Sequence, residues 1–96
     1  MDLLFDLGNT RMKIACRDAT GVRALDALAW DAPDFLAQWH ALELATPERI
    51  AIANVTRSHR LDALQALLSV RFPAVPTRIA QTQAQCGRLR IAYAQP

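Results

Sequence analysis

A carboxylate, a hydroxyl and an ammonium group stand close together near the amino terminus, at Asp6, Thr10 and Lys13. The apolar run before Asp6 predicts a buried strand, and Gly8 and Asn9 are residue types that accept a positive φ at low cost. This stretch therefore predicts a tight hairpin turn, with a second strand returning from it. Such a turn would gather the three polar side chains around one point.

The chemistry that suits this turn is the binding of a metal-bound polyphosphate. The carboxylate of Asp6, at the end of a buried strand, can hold Mg²⁺ directly or through water. Backbone N–H groups at Gly8 and Asn9 can meet phosphate oxygens, while Thr10 adds a hydroxyl donor and Lys13 a positive charge. An unpaired acid that ends an apolar strand is costly unless it meets a metal ion or a donor, which favours this interpretation.

The same residues also suit a purely structural role, in which Gly8 and Asn9 form an ordinary hairpin and Asp6 is a turn former. Lysine usage points towards function. Of the eleven basic residues, Lys13 is the only lysine, and the other ten are arginines. The residues by themselves leave both interpretations open.

Three strands are predicted at the start of the chain. Residues 1–5 form the first strand, Met12, Ile14 and Cys16 alternate along the second, and residues 22–30 form a third strand with weak alternation. The connections are short and polar. We therefore expect an antiparallel meander.

An amphipathic helix is predicted next. Asp31 is the expected N-cap, because Pro33 and an acid follow it, and the Thr-Pro pair at residues 46–47 ends the segment. Trp39 lies on the apolar stripe and is predicted to be a core residue, whereas His40 lies off the stripe and is predicted to be on the surface. The apolar positions at helical spacing are Phe35, Leu36, Trp39 and Leu42.

Residues 50–55 are rich in Ile, Val and Ala, which predicts a strand in a parallel arrangement that is covered on both faces. Ligands gather at the carboxyl ends of strands in open α/β sheets. Asn54, Val55 and Thr56 are therefore candidates to line a cleft. A compatible alternative is that Thr56 or Ser58 only caps the following helix.

A second helix over residues 59–70, with leucines on one face, and a short strand over residues 75–80 complete the pattern. Residues 81–85 form a polar loop or the start of a further strand, and the final segment alternates apolar and basic residues with a period of two. Three antiparallel strands followed by helix, strand, helix and strand predict an α/β fold with a mixed sheet.

Composition narrows the class of protein. A length of 96 residues suits one small domain, and a net charge of +2 with dispersed arginines argues against nucleic acid as a partner. Cys16 and Cys86 lack neighbours at metal-ligand spacing and are expected to be small buried hydrophobes. An acidic amino terminus and the lack of a membrane-length apolar run predict a cytoplasmic protein without a membrane partner.

Three segments resemble type III pantothenate kinases. Residues 5–13, FDLGNTRMK, are similar to the opening D-x-G-N-T/S-x-x-K motif of that family. Residues 51–55, AIANV, resemble the strand after its first helix, and residues 87–96, GRLRIAYAQP, resemble its G-x-x-x-x-Y-x-x-P approach to the substrate pocket. The three segments occur in the family's order and extend from one end of the chain to the other.

This resemblance implies ATP-dependent phosphorylation of pantothenate to 4'-phosphopantothenate, the first step of coenzyme A biosynthesis. It implies that residues 1–96 are an N-terminal nucleotide-binding domain of the ribonuclease H-like class, truncated before its last helix and without the second domain. Tyr93 would contact pantothenate, and Asp6 would bind Mg²⁺. The implied ATP and phosphate contacts are Asp6, Leu7, Gly8, Asn9, Thr10, Arg11, Met12 and Lys13.

The family's remaining requirements are expected outside this chain. Its proposed base belongs to a G-x-D-R element that would follow Pro96, so no catalytic residue is assigned here. The site for a monovalent cation, K⁺ or NH₄⁺, is also expected elsewhere, and the complete protein would be a homodimer. The isolated chain should therefore be inactive.

Two other classes stay open. The chain would be a non-catalytic member of the same family, either a transcriptional accessory protein or a nucleotide-responsive binding module, or it would be a truncated fragment without a function of its own. The coding sequence after Pro96 separates these classes. A G-x-D-R element behind a stop or a frameshift indicates a broken kinase, and an unrelated continuation favours a separate module.

Overall fold

The computed structural model describes residues 1–55 and 59–81. In this part of the chain, five strands form one sheet and two helices pack on it. The elements in chain order are β1 Asp2–Leu7, β2 Arg11–Asp18, β3 Gly21–Ala29, α1 Phe35–Ala41, β4 Arg49–Asn54, α2 Arg60–Arg71 and β5 Thr77–Gln81.

The sheet has the strand order β3-β2-β1-β4-β5, so β1 lies at its centre. β1, β2 and β3 are antiparallel neighbours, whereas β4 runs parallel to β1 and β5 runs parallel to β4. This arrangement confirms the predicted meander and the mixed α/β sheet. The carboxyl end of β1, where Asp6 lies, is flanked by a strand on each side.

Alternation along the strands buries one face of the sheet under the two helices. The rings of Phe5 in β1 and Trp39 in α1 lie 6.0 Å apart between centroids, and Trp39 is a core residue as predicted. Burying one large apolar side chain contributes about 1.5–3 kcal/mol, so this face accounts for much of the stability. The buried cluster consists of Leu3, Phe5, Leu7, Met12, Ile14, Cys16, Leu28, Trp39, Ile50, Ile52, Leu64, Leu68 and Phe72.

The weak alternation of β3 has a structural cause. The register between β2 and β3 shifts between Ile14 and Ala15, because Ala15 lies opposite Ala24 whereas Ile14 lies opposite Asp26. One extra residue in β3 changes which of its side chains face the core. As a result Leu28 is buried, while the other residues of the strand are exposed.

The first helix begins later than predicted. Its N-cap is Asp34 rather than Asp31, and the Asp34 side chain makes no capping hydrogen bond. The N–H of Phe35 donates to the carbonyl of Ala32 at 3.1 Å, so the chain first closes a turn and only then becomes helical.

The first helix also ends earlier than predicted, at Ala41. Leu42 is extended, with φ −65° and ψ 131°, so residues 42–46 lie outside the helix. Arg71 of α2 donates to the carbonyls of Trp39, at 2.8 Å, and of Leu42. A side chain from α2 therefore satisfies the carbonyl end of α1. His40 is exposed, as predicted.

The later elements lie close to their predicted positions. α2 is displaced by one residue from the predicted 59–70 and turns its leucine face towards the sheet. β5 begins at Thr77 instead of Val75, because the N–H of Val75 donates to the carbonyl of Phe72 in a turn. Neither described helix is long and apolar enough to cross a bilayer.

The opposite face of the sheet, here called the open face, is not covered by α1 or α2. Leu4, Ala15 and Ala51 are half-buried on it and line a concavity of about 810 Å³ that also includes Asp6 and Lys13. β4 is predicted to be covered on both of its faces. In the described part of the chain, α1 and α2 cover one of them. The open face carries the charged end of the hairpin.

Candidate functional site

The hairpin between β1 and β2 brings Asp6 and Lys13 side by side. The two residues lie directly opposite each other in the antiparallel register, and both are exposed on the open face. Opposed residues in such a ladder have Cβ atoms about 4.5–5.5 Å apart. Thr10 is exposed at the tip of the same turn. A negative charge, a positive charge and a hydroxyl thus share one end of the sheet.

The turn is closed by a hydrogen bond from the N–H of Gly8 to the carbonyl of Arg11, at 3.0 Å. Among the described residues only Gly21 has a positive φ, so the expectation of a positive φ at Gly8 or Asn9 is wrong. Glycine suits position 8 for another reason. A Cβ there would lie 3.2 Å from the carbonyl oxygen of Arg11, which is the acceptor of the closing hydrogen bond.

Asp6 has the properties of a ligand for a hydrated magnesium ion. It is exposed, which corrects the argument that burial makes its charge costly. In residues 1–55 and 59–81 neither Asp6 nor Lys13 forms an ion pair or a side-chain hydrogen bond. Mg²⁺ usually keeps several waters and takes one or two carboxylates besides substrate phosphates, and a single accessible carboxylate fits that mode. The same residues contain no cluster of three or more metal-ligating side chains.

The other residues of the motif divide between core and surface. Leu7 and Met12 are both 0% exposed and lie in the hydrophobic core, so only their main chain can meet a ligand. Arg11 is exposed on the same side of β2 as Lys13, with Met12 between them on the other side. Arg11 and Lys13 therefore both direct positive charge to the open face.

Two residues that the sequence reasoning did not single out hold the turn from its other side. The Nε1–H of Trp30 donates to the carbonyl of Gly8 at 2.7 Å, and the N–H of Trp30 donates to the carbonyl of Thr10 at 3.1 Å. The Arg60 guanidinium donates to the carbonyl of Asn9 and lies 5.1 Å from the centroid of the Trp30 ring. No local pattern signals these contacts, since the side-chain donors lie 22 and 51 residues from their acceptors.

The carboxyl end of β4 lies beside the start of this turn. The N–H of Val55 donates to the carbonyl of Leu7 at 3.2 Å, and Val55 is 42% exposed. Asn54 lies opposite Leu7 and is buried on the helix-covered face, away from Asp6. The structure thus brings both residues to the predicted edge, on different faces. Outside the described residues lie Thr56, Cys86 and Tyr93.

A second charged cluster lies at the opposite end of β1. The carboxylate of Asp2 accepts hydrogen bonds from Arg17 at 3.0 Å and from Arg49 at 3.3 Å. The hydrogen bond from Arg17 is the main cause that lowers the pKa of Asp2 below its ordinary value; burial opposes it and Arg49 adds to it. These charges satisfy one another and tie β1 to β2 and β4, so this cluster is structural.

Relatives of known name align with nearly the whole chain. A Xanthomonas campestris pv. campestris protein named type III pantothenate kinase is 38% identical over 94 residues, which cover 97% of this chain and 37% of the relative. A Stenotrophomonas maltophilia protein of the same name is 35% identical over 96 residues, covering 99% of this chain and 38% of the relative. An Alkalilimnicola ehrlichii protein of the same name is 36% identical over 87 residues, which cover 88% of this chain and 34% of the relative.

These similarities confirm the resemblance to type III pantothenate kinases. The chain spans a little over a third of the length of these relatives. No established protein-family model matches it. Among solved structures, the crystal structure of Archaeoglobus fulgidus Pelota is similar, with a TM-score of 0.55 over 98% of this chain and 31% of that chain. At 10% identity this likeness concerns the α/β fold alone.

Proposed function

We propose that this chain is the N-terminal, nucleotide-binding part of a type III pantothenate kinase. The reaction transfers the terminal phosphoryl group of ATP to pantothenate and yields 4'-phosphopantothenate. The observation that carries the proposal is the pairing of Asp6 with Lys13 on an exposed hairpin, in a chain whose relatives bear that name. Phosphoryl transfer depends mainly on positioning and on stabilising charge, and this hairpin offers both.

The residues of the hairpin have distinct parts in this proposal. Lys13 offsets the negative charge of the phosphates, Thr10 donates a hydroxyl hydrogen bond, and the amides of the turn meet phosphate oxygens. Asp6 would hold Mg²⁺, which, when bound, neutralises charge on the phosphate oxygens. Arg11 lies on the same side as Lys13 and adds to the positive potential of this end of the sheet.

We assign the fold to the ribonuclease H-like class as part of the same proposal. Support comes from the strand order β3-β2-β1-β4-β5, with an antiparallel meander followed by alternating helices and parallel strands. On this assignment the described residues belong to one copy of that domain. The open face of the sheet is where a further layer would pack, since parallel strands are usually covered on both faces.

The remaining parts of the proposed enzyme lie beyond the described residues. Tyr93 is proposed to contact pantothenate, and Thr56 to line the cleft beside Asn54 and Val55. The general base, the site for K⁺ or NH₄⁺ and the second domain are proposed for the polypeptide that follows Pro96 in a complete, homodimeric protein. We also expect a cytoplasmic location, with neither nucleic acid nor a membrane as a partner.

A second candidate function is a nucleotide-responsive binding module without catalysis. It requires only the exposed hairpin that carries Asp6 and Lys13. Both candidates require ATP to bind at the hairpin. They differ in whether a polypeptide extended to the full length of the relatives phosphorylates pantothenate.

Nuclear magnetic resonance of the isotope-labelled chain tests the shared part. Titration with Mg·ATP should shift the amide resonances of Asn9, Thr10 and Lys13, whereas Arg23, at the far end of β3, should stay unchanged. Absence of any shift at millimolar nucleotide would refute nucleotide binding. Shifts in this chain, together with pantothenate turnover by the extended polypeptide, would support the kinase; shifts without turnover would support the module.

A further inference from the structure

Three successive carbonyl groups of the hairpin turn are held by donors from elsewhere in the fold. The carbonyl of Gly8 accepts from the indole N–H of Trp30 at 2.7 Å, that of Asn9 accepts from the Arg60 guanidinium, and that of Thr10 accepts from the main-chain N–H of Trp30 at 3.1 Å. In the described part of the chain, the N–H groups of Asn9 and Thr10 donate to no protein acceptor. The turn therefore has fixed acceptors and unused donors.

Peptide geometry links these two facts. A trans peptide is planar, and its C=O and the N–H of the next residue point in opposite directions. When the C=O of Gly8 is held towards Trp30, the N–H of Asn9 must point away from it. When the C=O of Asn9 is held towards Arg60, the N–H of Thr10 must likewise point away.

The side on which the donors lie decides where these amides point. Trp30 stacks on Phe35, the first residue of α1, with ring centroids 5.4 Å apart, and Arg60 is the first residue of α2. Both donors thus belong to the helix-covered side of the sheet. The free amides therefore point to the other side, which carries Asp6 and Lys13.

We propose that Trp30 and Arg60 are positioning residues, which together form a carbonyl clamp that presents the amides of Asn9 and Thr10 to phosphate oxygens beside Lys13. The inference rests on the proposed binding of ATP. Its ligand is the polyphosphate of a nucleoside triphosphate, which two adjacent amides and an ammonium group can hold together. The contact between the Arg60 guanidinium and the Trp30 ring orients each donor by means of the other.

The chain supplies a matched control for this clamp. Arg71 likewise donates to two carbonyls, those of Trp39 and Leu42, and lies 5.2 Å from the Trp39 ring centroid. Its contacts serve the end of α1 and lie away from the hairpin. Arg71→Gln therefore removes the same kind of interaction where no phosphate is expected.

The test compares Trp30→Phe, Arg60→Gln and Arg71→Gln with the parent chain. The readouts are Kd for Mg·ATP by calorimetry and Tm by circular dichroism. Loss of one oriented donor should raise Kd about fivefold or more in Trp30→Phe and in Arg60→Gln. Arg71→Gln should lower Tm and change Kd by less than about twofold. Combining Trp30→Phe with Arg60→Gln should have less than the summed effect, because the two donors act on one turn.

Several results would overturn the clamp. One is parent-like Kd values in Trp30→Phe and Arg60→Gln, and another is a rise in Kd for all three variants in proportion to their loss of Tm. If the parent chain binds no Mg·ATP, the proposed function fails, and the amide resonances of Asn9 and Thr10 still decide the geometry. Resonances that move in Trp30→Phe but not in Arg71→Gln support the clamp, and resonances that stay fixed in both refute it.

Discussion

Replacing Asp6 by Asn distinguishes a metal ligand from a turn former through the sign of the resulting change in affinity for ATP. The change removes one negative charge and keeps the shape of the side chain. Asp6 is exposed and lies opposite Lys13, so its carboxylate repels a bare polyphosphate and attracts one only through a shared cation. Asp6→Asn should therefore strengthen the binding of metal-free ATP and weaken the binding of Mg·ATP.

The expected size follows from Coulomb's law. Two unit charges 4 Å apart interact by about 1 kcal/mol at the dielectric constant of water and by about 4 kcal/mol at an effective value near 20. An exposed carboxylate lies near the first limit. We therefore expect the binding free energy to change by about 1–2 kcal/mol in each direction, which is roughly a five- to thirtyfold change in Kd. Low ionic strength is required, because the Debye length falls to about 10 Å at 0.1 M salt.

Calorimetric titrations in excess Mg²⁺ and in a chelator give the two Kd values. Asp18→Asn is the control, since Asp18 is an exposed aspartate at the other end of β2. In an extended, active polypeptide, Asp6→Asn should abolish turnover and leave the circular dichroism spectrum unchanged. A change of the same sign in both titrations would refute the metal role, as would turnover within a few-fold of the parent at saturating Mg·ATP.

Three further outcomes are expected. Lys13→Met should weaken Mg·ATP binding about five- to thirtyfold, because it removes a positive charge beside the phosphates. Arg23→Met should change the Kd for Mg·ATP less than about twofold. Equal effects of the two substitutions would remove the case for Lys13. Arg23 serves as the comparison because Arg11 shares the open face with Lys13. Asp2→Asn should lower the free energy of unfolding by about 1.5–3 kcal/mol in denaturant titrations at pH 7, because it removes a carboxylate hydrogen-bonded by Arg17. The folded-state pKa of Asp2 lies below its ordinary value of 3.8, so this contribution to stability is complete above about pH 5 and is lost as the pH falls through the lowered pKa. If the difference in unfolding free energy between Asp2→Asn and the parent did not depend on pH, this prediction would be contradicted. The isolated chain should phosphorylate pantothenate no faster than background. It should also self-associate through its open face, as measured by light scattering. Robust turnover by a monomer would contradict both expectations.

Local patterns predict the strands well where burial follows the backbone period. Every second residue of β1 and β2 lies in the core, namely Leu3, Phe5 and Leu7 and then Met12, Ile14 and Cys16, so the core face of both strands can be predicted from residue type. The core-facing residues of β3 cannot be predicted in the same way, because the register shift between Ile14 and Ala15 arises from cross-strand pairing. The carboxyl end of α1 cannot be predicted locally for a similar reason. Arg71, in another helix, satisfies the carbonyls of Trp39 and Leu42 where the first helix stops.

The candidate site shows the same division between local and distant causes. Glycine at position 8 is predictable, although the reason is a close approach to the Arg11 carbonyl rather than a positive φ. The positions of Asp6 and Lys13 follow from hairpin pairing.

The direction of the peptide planes in the turn does not follow from the motif, because it depends on Trp30 and Arg60. Their contacts with the turn involve side chains 22 and 51 residues away in the sequence. A hairpin with the same motif but without such donors would close through the N–H of Gly8 and still leave the peptide after Gly8 free to rotate. Its amides would then have to be ordered by the phosphate itself, and that ordering reduces affinity. The short motif is therefore a weak predictor of phosphate binding unless two distant side chains that donate to the carbonyls of the turn accompany it.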